Sequence, residues 1–203
     1  MQKNENTGYL EIIIGPMFSG KTSKLLEIYK QCTFCNIPVA VINYEEDKRY
    51  HNNMLSTHDQ IMIPCIQTDY LDKLWCEPRE NQKDYDKLKE NYEIVKNADV
   101  ILINEGQFFG DLNFIVKDML KMKKKVYVSG LDGDYLREKF GLILDLIALC
   151  DKVTKLTSLC GICKDGTPGI FSLRLTNENV QKVIGNNNYI PVCRNCYESN
   201  IMQ

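Results

Sequence analysis

The chain has 203 residues, of which 44% are hydrophobic and 26% are charged, and its formal net charge is -2. This length permits one core with a smaller appendage, so we expect one or two domains. The weak negative charge excludes a general electrostatic attraction to nucleic acid or anionic membranes, and no apolar run is long enough to span a bilayer. Because the amino terminus MQKNENTGYLE is polar and unlike a signal peptide, we expect a soluble protein located in the cytoplasm.

Hydrophobic patterning along the first three quarters of the chain alternates between short buried strands and helices. The predicted strands are YLEIII (9–14), VAVINY (39–44), IMIPCI (61–66), VILIN (100–104) and KVYVSGL (125–131). The predicted helices are GKTSKLLEIYKQC (20–32), DLNFIVKDMLKM (111–122) and GLILDLIALC (141–150), with further helical propensity in the polar residues 69–97. Strands that alternate with helices form right-handed crossovers, so we predict an α/β fold with a parallel sheet flanked by helices.

The pattern changes after about residue 152, where shorter strand-like runs are separated by glycine, asparagine and cysteine turns. These runs are VTKLTSL, IFSLRL, VQKVIG and YIPV. We therefore predict two domains, an α/β domain at residues 1–152 and a small β-rich domain at residues 153–203.

Residues 15–22, GPMFSGKT, match the G-x-x-x-x-G-K-[ST] pattern of a phosphate-binding loop and lie between a predicted strand and a predicted helix. The glycines let backbone N–H groups converge on one anion, and the helix presents its positive amino end. Lys21 would reach the β and γ phosphates, and Thr22 would ligate Mg²⁺. The residues predicted to bind a nucleoside triphosphate are Gly15, Pro16, Met17, Phe18, Ser19, Gly20, Lys21 and Thr22.

Glu105 directly follows the predicted strand VILIN, at the end of the sheet where ligands bind in open α/β folds. A carboxylate there can organise Mg²⁺ or the attacking group beside a phosphate loop. The simpler alternative is a solvated loop side chain. We predict that Glu105 is catalytic.

The nine cysteines include three C-x-x-C pairs, and their odd number in a chain without a secretory signal argues against a disulfide framework. The pairs are Cys32 with Cys35, Cys160 with Cys163, and Cys193 with Cys196. The last two pairs have the C-x₂-C…C-x₂-C form that suits tetrahedral Zn²⁺, although their separation exceeds the usual range. Four thiolates would fill the coordination shell, so we predict a structural zinc ion and interpret the first pair as packing residues. The alternative for the last two pairs is unligated thiols.

In seven blocks the chain resembles the type II thymidine kinases of animals, many bacteria and large DNA viruses. The blocks are GPMFSGKT, DKRY (47–50), THD (57–59), NEGQFF (104–109), SGLDGDYLREKFG (129–141), KLTSLCGIC (155–163) and YIPVCRNC (189–196), all in the family order. This resemblance implies ATP-dependent phosphoryl transfer to the 5′-hydroxyl of thymidine or deoxyuridine, which is nucleotide salvage for DNA synthesis. It also implies a homotetramer and feedback inhibition by thymidine triphosphate.

The resemblance assigns roles residue by residue. Glu105 matches the general base, and Arg49 can supply bidentate charge to the moving phosphoryl group. The expected nucleotide-site residues outside the phosphate loop are Asp47, Lys48, Arg49, Asn104 and Gln107. The expected nucleoside-site residues are Met17, Phe108, Leu131, Tyr135 and Phe140, together with Val183, Ile184, Gly185 and Tyr189 of a loop that recognises thymine through backbone groups.

Two positions depart from the family pattern. Asn104 stands where the family has aspartate, which removes a negative charge beside Mg²⁺, so we expect an active kinase with weakened magnesium affinity. Tyr135 stands where the family usually has phenylalanine, and its hydroxyl needs a hydrogen-bond partner.

Two other functional classes are compatible with parts of the pattern. The substitution at Asn104 permits a non-catalytic relative that binds nucleotides. The cysteine pairs with a phosphate loop permit a zinc-ribbon ATPase that binds nucleic acid, but such a protein needs a basic face, and KMKKK (121–125) is the one lysine run.

Overall fold

The computed structural model describes residues 7–46, 54–56, 61–176, 180–181 and 188–201. In chain order its strands are β1 (Tyr9–Ile14), β2 (Val39–Tyr44), β3 (Met54–Ser56), β4 (Met62–Pro64), β5 (Ile66–Thr68), β6 (Val100–Ile103), β7 (Lys125–Gly130), β8 (Lys152–Lys155), β9 (Ser158–Leu159), β10 (Pro168–Gly169), β11 (Phe171–Arg174) and β12 (Tyr189–Val192). Its α-helices are α1 (Lys21–Phe34), α2 (Asp72–Trp75), α3 (Tyr85–Asn97), α4 (Leu112–Lys121) and α5 (Arg194–Ile201). Short 3₁₀ helices span Gly106–Phe108 and Ile143–Leu149.

A six-stranded sheet in the order β5-β2-β6-β7-β1-β8 forms the centre of the molecule, and all its neighbouring strands are parallel. Its inner strands are rich in valine, isoleucine and leucine and almost fully buried, as expected of strands covered on both faces. The predicted parallel α/β fold is confirmed. The strands predicted at residues 9–14, 39–44, 100–104 and 125–131 correspond to β1, β2, β6 and β7.

Helices cover both faces of this sheet. Side chains alternate along β1, so Ile13 shares an apolar cluster with Leu25 of α1, whereas Ile12 shares another with Val116 of α4. Cys32 is fully buried in the α1 cluster, while Cys35 at the helix end is exposed. That burial supports the interpretation of Cys32 as a packing residue, but not of Cys35.

Three predicted segments differ from the observed elements. Residues 61–66, predicted as one edge strand, contain β4, which pairs with β3 in a separate antiparallel sheet, and the first residue of β5, which pairs with β2. The break follows Pro64, which has no N–H for a ladder. The polar residues 69–97 contain α2 and α3, and the helix predicted at 141–150 is a 3₁₀ helix.

The carboxyl-terminal part is built from short elements around the four cysteines of the predicted zinc site. Strand β9 pairs with β10, and β11 pairs with β12, both antiparallel. Helix α5, which the sequence pattern did not predict, follows β12. The small core of this part contains Cys160, Leu173, Val192, Cys193, Cys196 and Tyr197. We refer to β9–β12 and α5 as the cysteine module.

The predicted domain boundary at residue 152 falls inside the main sheet. VTKLTSL was expected to begin the small domain, but its first residues belong to β8, which pairs with β1. Most of VQKVIG lies outside the described residues, and its first two residues are not in a strand. Among the described residues, no helix is both long and apolar enough to cross a membrane.

Candidate active site

The predicted phosphate loop connects β1 to α1. Gly15 has a φ of 152°, and a side chain there would collide with the carbonyl oxygen of Leu156. Gly20 has a φ of 82° and immediately precedes the first helical residue. Both glycines are therefore required by backbone conformation, and at Gly15 also by the close approach of the chain after β8.

The amino end of α1 supplies the positive electrostatics of this loop. Lys21 and Thr22 are its first two residues, and no acidic side chain lies in the first turn to neutralise the helix dipole. The Lys21 ammonium donates a 2.6 Å hydrogen bond to the carbonyl oxygen of Pro16, which keeps its charge beside the loop. This arrangement suits an anionic ligand such as a phosphate chain.

The loop is also tied to the cysteine module. The backbone N–H of Met17 donates to the hydroxyl of Ser172 on β11 over 3.0 Å, and Ser172 is buried. Sequence reasoning missed Ser172, because the two residues are 155 positions apart and only the tertiary fold joins them.

A row of three polar side chains crosses the sheet at its carboxyl edge. The Asn104 amide donates to Asn43 Oδ1 over 2.9 Å, and the Ser129 hydroxyl donates to Asn104 Oδ1 over 2.8 Å. All three side chains are at most 3% exposed. We refer to Asn43, Asn104 and Ser129 as the polar row. Because buried polar groups need partners, this neutral row is a self-consistent arrangement.

The polar row lies on the α1 face of the sheet. Val41 and Tyr127, two residues before Asn43 and Ser129, belong to the apolar cluster of α1, and side chains two apart share a face. The hydrogen bond from Ser129 occupies one of the two lone pairs of Asn104 Oδ1. That oxygen keeps one acceptor position, so Asn104 can still contact a hydrated cation, but without a negative charge.

Glu105 follows β6 in a left-handed conformation, with a φ of 55°. Such a conformation costs on the order of 1–2 kcal/mol for a residue with a side chain and persists only where the surroundings impose it. Its carboxylate accepts a 2.6 Å hydrogen bond from the Gln107 amide, and Gln107 Oε1 accepts the backbone N–H of Leu131 over 3.0 Å. Gln107, expected at the nucleotide, is thus buried between Glu105 and Leu131.

Several predicted nucleoside-site residues lie in aromatic groups. Phe108, in the 3₁₀ helix that follows Glu105, packs edge-on against Phe140 with ring centres 5.4 Å apart. It also packs against Tyr44 with tilted rings whose centres are 5.0 Å apart. Tyr135 and Tyr189 both contact Arg174: its guanidinium lies 3.6 Å from the Tyr135 ring centre and donates to the Tyr189 hydroxyl over 2.7 Å. Arg174 was not among the predicted residues.

Part of the predicted site cannot be located. Asp47, Lys48 and Arg49 lie outside the described residues, and so do Val183, Ile184 and Gly185. Their expected roles stay predictions.

The four predicted zinc ligands come together. The sulfur atoms of Cys160, Cys163, Cys193 and Cys196 all lie within 4.8 Å of one another. A tetrahedral Zn²⁺ with bonds of about 2.3 Å needs sulfur separations of about 3.8 Å, and Cys163 Sγ lies 3.8 Å from Cys193 Sγ and 3.4 Å from Cys196 Sγ. This geometry fits a closed four-thiolate metal site.

Backbone groups favour the thiolate form of Cys160 in this cluster. Burial raises the pKa of the Cys160 thiol, but backbone N–H groups of Cys163, Cys193 and Ile162 outweigh it, so the net direction of the pKa is downward. The N–H of Cys196 likewise points to Cys193 Sγ over 3.5 Å. The neighbouring sulfur atoms raise the pKa of the Cys163 thiol. A metal ion requires deprotonated thiolates, so its binding would have to displace the protons that remain in the cluster.

Comparison with known proteins agrees with these features. The model of the thymidine kinase family matches residues 8–197. A thymidine kinase of Oryza sativa is 42% identical over 193 residues, which are 94% of this chain and 66% of that longer relative. A thymidine kinase of Yaba monkey tumor virus is 37% identical over 195 residues, covering 96% of this chain and 97% of the relative. Thymidine kinase a of Arabidopsis thaliana is 40% identical over 201 residues, covering 98% and 78%. The chain belongs to the thymidine kinase family.

Proposed function

We propose that this protein transfers the γ-phosphoryl group of ATP to the 5′-hydroxyl of thymidine or deoxyuridine, giving the monophosphate. The observation that carries the proposal is the Glu105 carboxylate, held by Gln107 at the carboxyl end of β6. The phosphate loop follows β1, at the same edge of the parallel sheet. A carboxylate and a phosphate loop at one sheet edge are the two groups that phosphoryl transfer to an alcohol requires.

The phosphate loop would hold the triphosphate. Backbone N–H groups at the amino end of α1 and the Lys21 ammonium would bind the β- and γ-phosphate oxygens. Mg²⁺ bound with ATP would neutralise part of the negative charge on those oxygens, and Thr22 would be its protein ligand. Asp47, Lys48 and Arg49 are proposed beside the phosphates from the family resemblance alone.

Glu105 would orient the nucleoside hydroxyl and take its proton. The transition state of phosphoryl transfer is loose, so the proton leaves late and positioning matters more than basicity. The hydrogen bond from the Gln107 amide to Oε2 fixes the orientation of the carboxylate. Such a fixed orientation is the larger part of what a catalytic carboxylate contributes here.

The nucleoside would lie between aromatic and backbone groups. Phe108 and Phe140 pack against each other and would offer an apolar surface to the base. The other residues proposed around the nucleoside are Met17, Leu131, Tyr135 and Tyr189. Val183, Ile184 and Gly185 are proposed to recognise thymine through backbone N–H and C=O groups. A pyrimidine with the wrong donor pattern would then leave a buried group unpaired, at a cost of about 1–3 kcal/mol.

The cysteine cluster would hold one structural Zn²⁺. All four positions of a tetrahedral shell would be filled by protein thiolates, which leaves no position for substrate. The family resemblance further supports a cytoplasmic homotetramer that is inhibited by thymidine triphosphate.

A nucleic-acid-binding ATPase is the weaker candidate. Within the lysine run at residues 121–125, the Lys124 ammonium is half-buried and donates to the carbonyl oxygens of Lys96 and Ala98. The ammonium therefore satisfies carbonyl oxygens at the carboxyl end of α3 and is not part of an exposed basic surface for nucleic acid.

One experiment separates these functions. The purified protein is incubated with radiolabelled thymidine, ATP and Mg²⁺, and thymidine monophosphate is measured, with single-stranded DNA replacing thymidine in a parallel ATP hydrolysis assay. We expect monophosphate formation and no stimulation of hydrolysis by DNA. Absence of monophosphate at every Mg²⁺ concentration would overturn the proposal, and hydrolysis stimulated by DNA would favour the ATPase.

A further inference from the structure

Tyr135 is held from two sides by residues of the cysteine module. Its carbonyl oxygen accepts a 2.5 Å hydrogen bond from the Tyr197 hydroxyl. The guanidinium of Arg174 lies 3.6 Å from the centre of its ring, in the range of a cation–π contact. Main chain and side chain of Tyr135 are thus fixed independently.

Arg174 also connects Tyr135 to Tyr189. Arg174 and Tyr189 are direct partners in the β11–β12 pairing. Nε and a terminal nitrogen of the guanidinium donate to the Tyr189 hydroxyl over 3.2 and 2.7 Å. Because the guanidinium is planar and its donors point in fixed directions, it sets the relative position of the two tyrosines, which a lysine cannot do.

The same guanidinium also binds the backbone of the segment between β11 and β12. It donates to the carbonyl oxygens of Val180 and Gln181 over 2.6 and 3.0 Å. The Gln181 amide in turn donates to the Asp134 carboxylate over 2.7 Å, next to Tyr135 in sequence. Arg174 therefore contacts both tyrosines and the chain at Val180 and Gln181, and Gln181 in turn contacts the residue before Tyr135.

Tyr197 links these contacts to the cysteine cluster. It follows Cys196 directly within α5 and is 1% exposed, with its ring 5.2 Å from that of Phe171. A helix is stiff over one residue, so the position of the Tyr197 hydroxyl follows the position of the Cys196 thiolate.

We propose that Arg174 and Tyr197 are positioning residues that hold Tyr135 and Tyr189 in the geometry that binds the nucleoside, and that they couple this geometry to the cysteine cluster. The inference rests on the proposed function, since it concerns the nucleoside end of the same site. Neither residue reaches the phosphate loop in this role. Their loss affects thymidine affinity and leaves ATP affinity in place.

The test compares three variants with wild type in steady-state kinetics, with thymidine and ATP varied separately. Arg174→Met, which removes several hydrogen bonds from a charged donor, is expected to raise the KM for thymidine about tenfold. Arg174→Lys keeps the positive charge but lacks the planar set of donors, so its KM for thymidine is expected to lie between those of wild type and Arg174→Met. Tyr197→Phe removes one hydrogen bond and is expected to raise the KM about threefold. The KM for ATP and the metal content stay at wild-type values in all three.

Arg194→Met is the matched control. It removes another module arginine, whose guanidinium lies 5.0 Å from the Phe171 ring, while both supports of Tyr135 remain. An unchanged thymidine KM in Arg174→Met overturns the inference. So does a parallel rise in both KM values with loss of bound metal, which indicates a merely structural role. Calorimetric titration of wild type with thymidine separates the two proposals: binding without phosphorylation overturns the proposed function alone, and absence of binding overturns both.

Discussion

The phosphate-loop half of the molecule and the cysteine module are stabilised in different ways. In the first, β1, β6 and β7 are almost completely buried and pack against helices on both faces. In the second, three of the six buried apolar residues are the cysteines Cys160, Cys193 and Cys196. A core this small buries too little apolar surface to be stable alone, so we expect the module to depend on a metal ion bound by its cysteines. The proposed chemistry therefore lies on a rigid sheet, whereas the proposed nucleoside recognition depends on a part that needs this metal ion for its order.

The largest expected effect comes from Glu105→Gln, which changes the chemistry and leaves both halves intact. The amide keeps the shape of the side chain but cannot accept a proton, so turnover is expected to fall by at least about 10²-fold. ATP binding stays near the wild-type value, measured with a non-hydrolysable analogue. Glu90→Gln, an exposed residue of α3, is the control. Unchanged turnover would remove Glu105 from its proposed role.

Cys163→Ser breaks the module without touching the sheet. The variant is expected to lose zinc and to raise the KM for thymidine about tenfold, because metal binding and local folding are coupled in small modules. Metal analysis and hydrogen exchange would show protection lost in β9–β12 and kept in β1, β6 and β7. Cys35→Ser, an exposed cysteine outside the cluster, is the control and should keep its zinc. Wild type without zinc, or a variant that retains all of it, would contradict the metal assignment.

Glu11→Gln tests how much the side-chain contacts between β1 and β8, the edge strand of the main sheet, stabilise the fold. Burial raises the pKa of Glu11, but hydrogen bonds from Thr154 and Lys152 of β8 outweigh it, and the net pKa lies below the usual value. Since the folded pKa is depressed, the stabilisation is present above the unfolded pKa of about 4.3 and is lost as the pH falls through the folded pKa.

We therefore expect Glu11→Gln to lower the free energy of unfolding by about 1–2 kcal/mol at pH 7. The difference from wild type should shrink as the pH is lowered below about 4. Denaturant unfolding across this pH range measures it. A difference that is independent of pH would show that the charge of Glu11 contributes nothing.

Asn104→Asp is expected to have the smallest effect. The new carboxylate would still accept from Ser129, and the Asn43 amide can turn its N–H₂ group toward it. We expect the Mg²⁺ concentration for half-maximal rate to fall about two- to fivefold, since a negative charge attracts the cation, with little change in thymidine KM. Identical magnesium dependence in both forms would show that the site works without that charge. Activity in the variant but not in wild type would establish the non-catalytic alternative.

The sequence predicts the sheet half better than the module, for physical reasons. Strands β1, β2, β6 and β7 are short segments of mostly apolar residues, and the phosphate loop is contiguous, so local patterns suffice. Membership of β8 in the sheet depends on pairing with β1, about 140 residues earlier, which no local pattern contains. The run at 61–66 was predicted as one strand although Pro64 already marked the break.

Site residues were missed where the contact depends on register. Asn43 and Ser129 look like ordinary ends of buried strands until the pairing of β2, β6 and β7 brings them beside Asn104. Arg174 is one charged residue in a short strand, and only the β11–β12 pairing aligns it with Tyr189. By contrast, the cluster of four cysteines could be predicted because residue type and spacing carry the chemistry. The catalytic role of Glu105 stays a prediction.

The hydrogen bond between Met17 and Ser172 has a consequence for the order in which the chain folds. Strand β1 and the predicted phosphate loop leave the ribosome before the cysteine module, and Met17 meets its partner only after 155 further residues have been made. Gly15 likewise packs against Leu156. Contacts of such long sequence separation form late, because the closure of a long loop has to precede them. The predicted phosphate loop is therefore synthesised well before β11 and reaches its final shape only after β11 has been made.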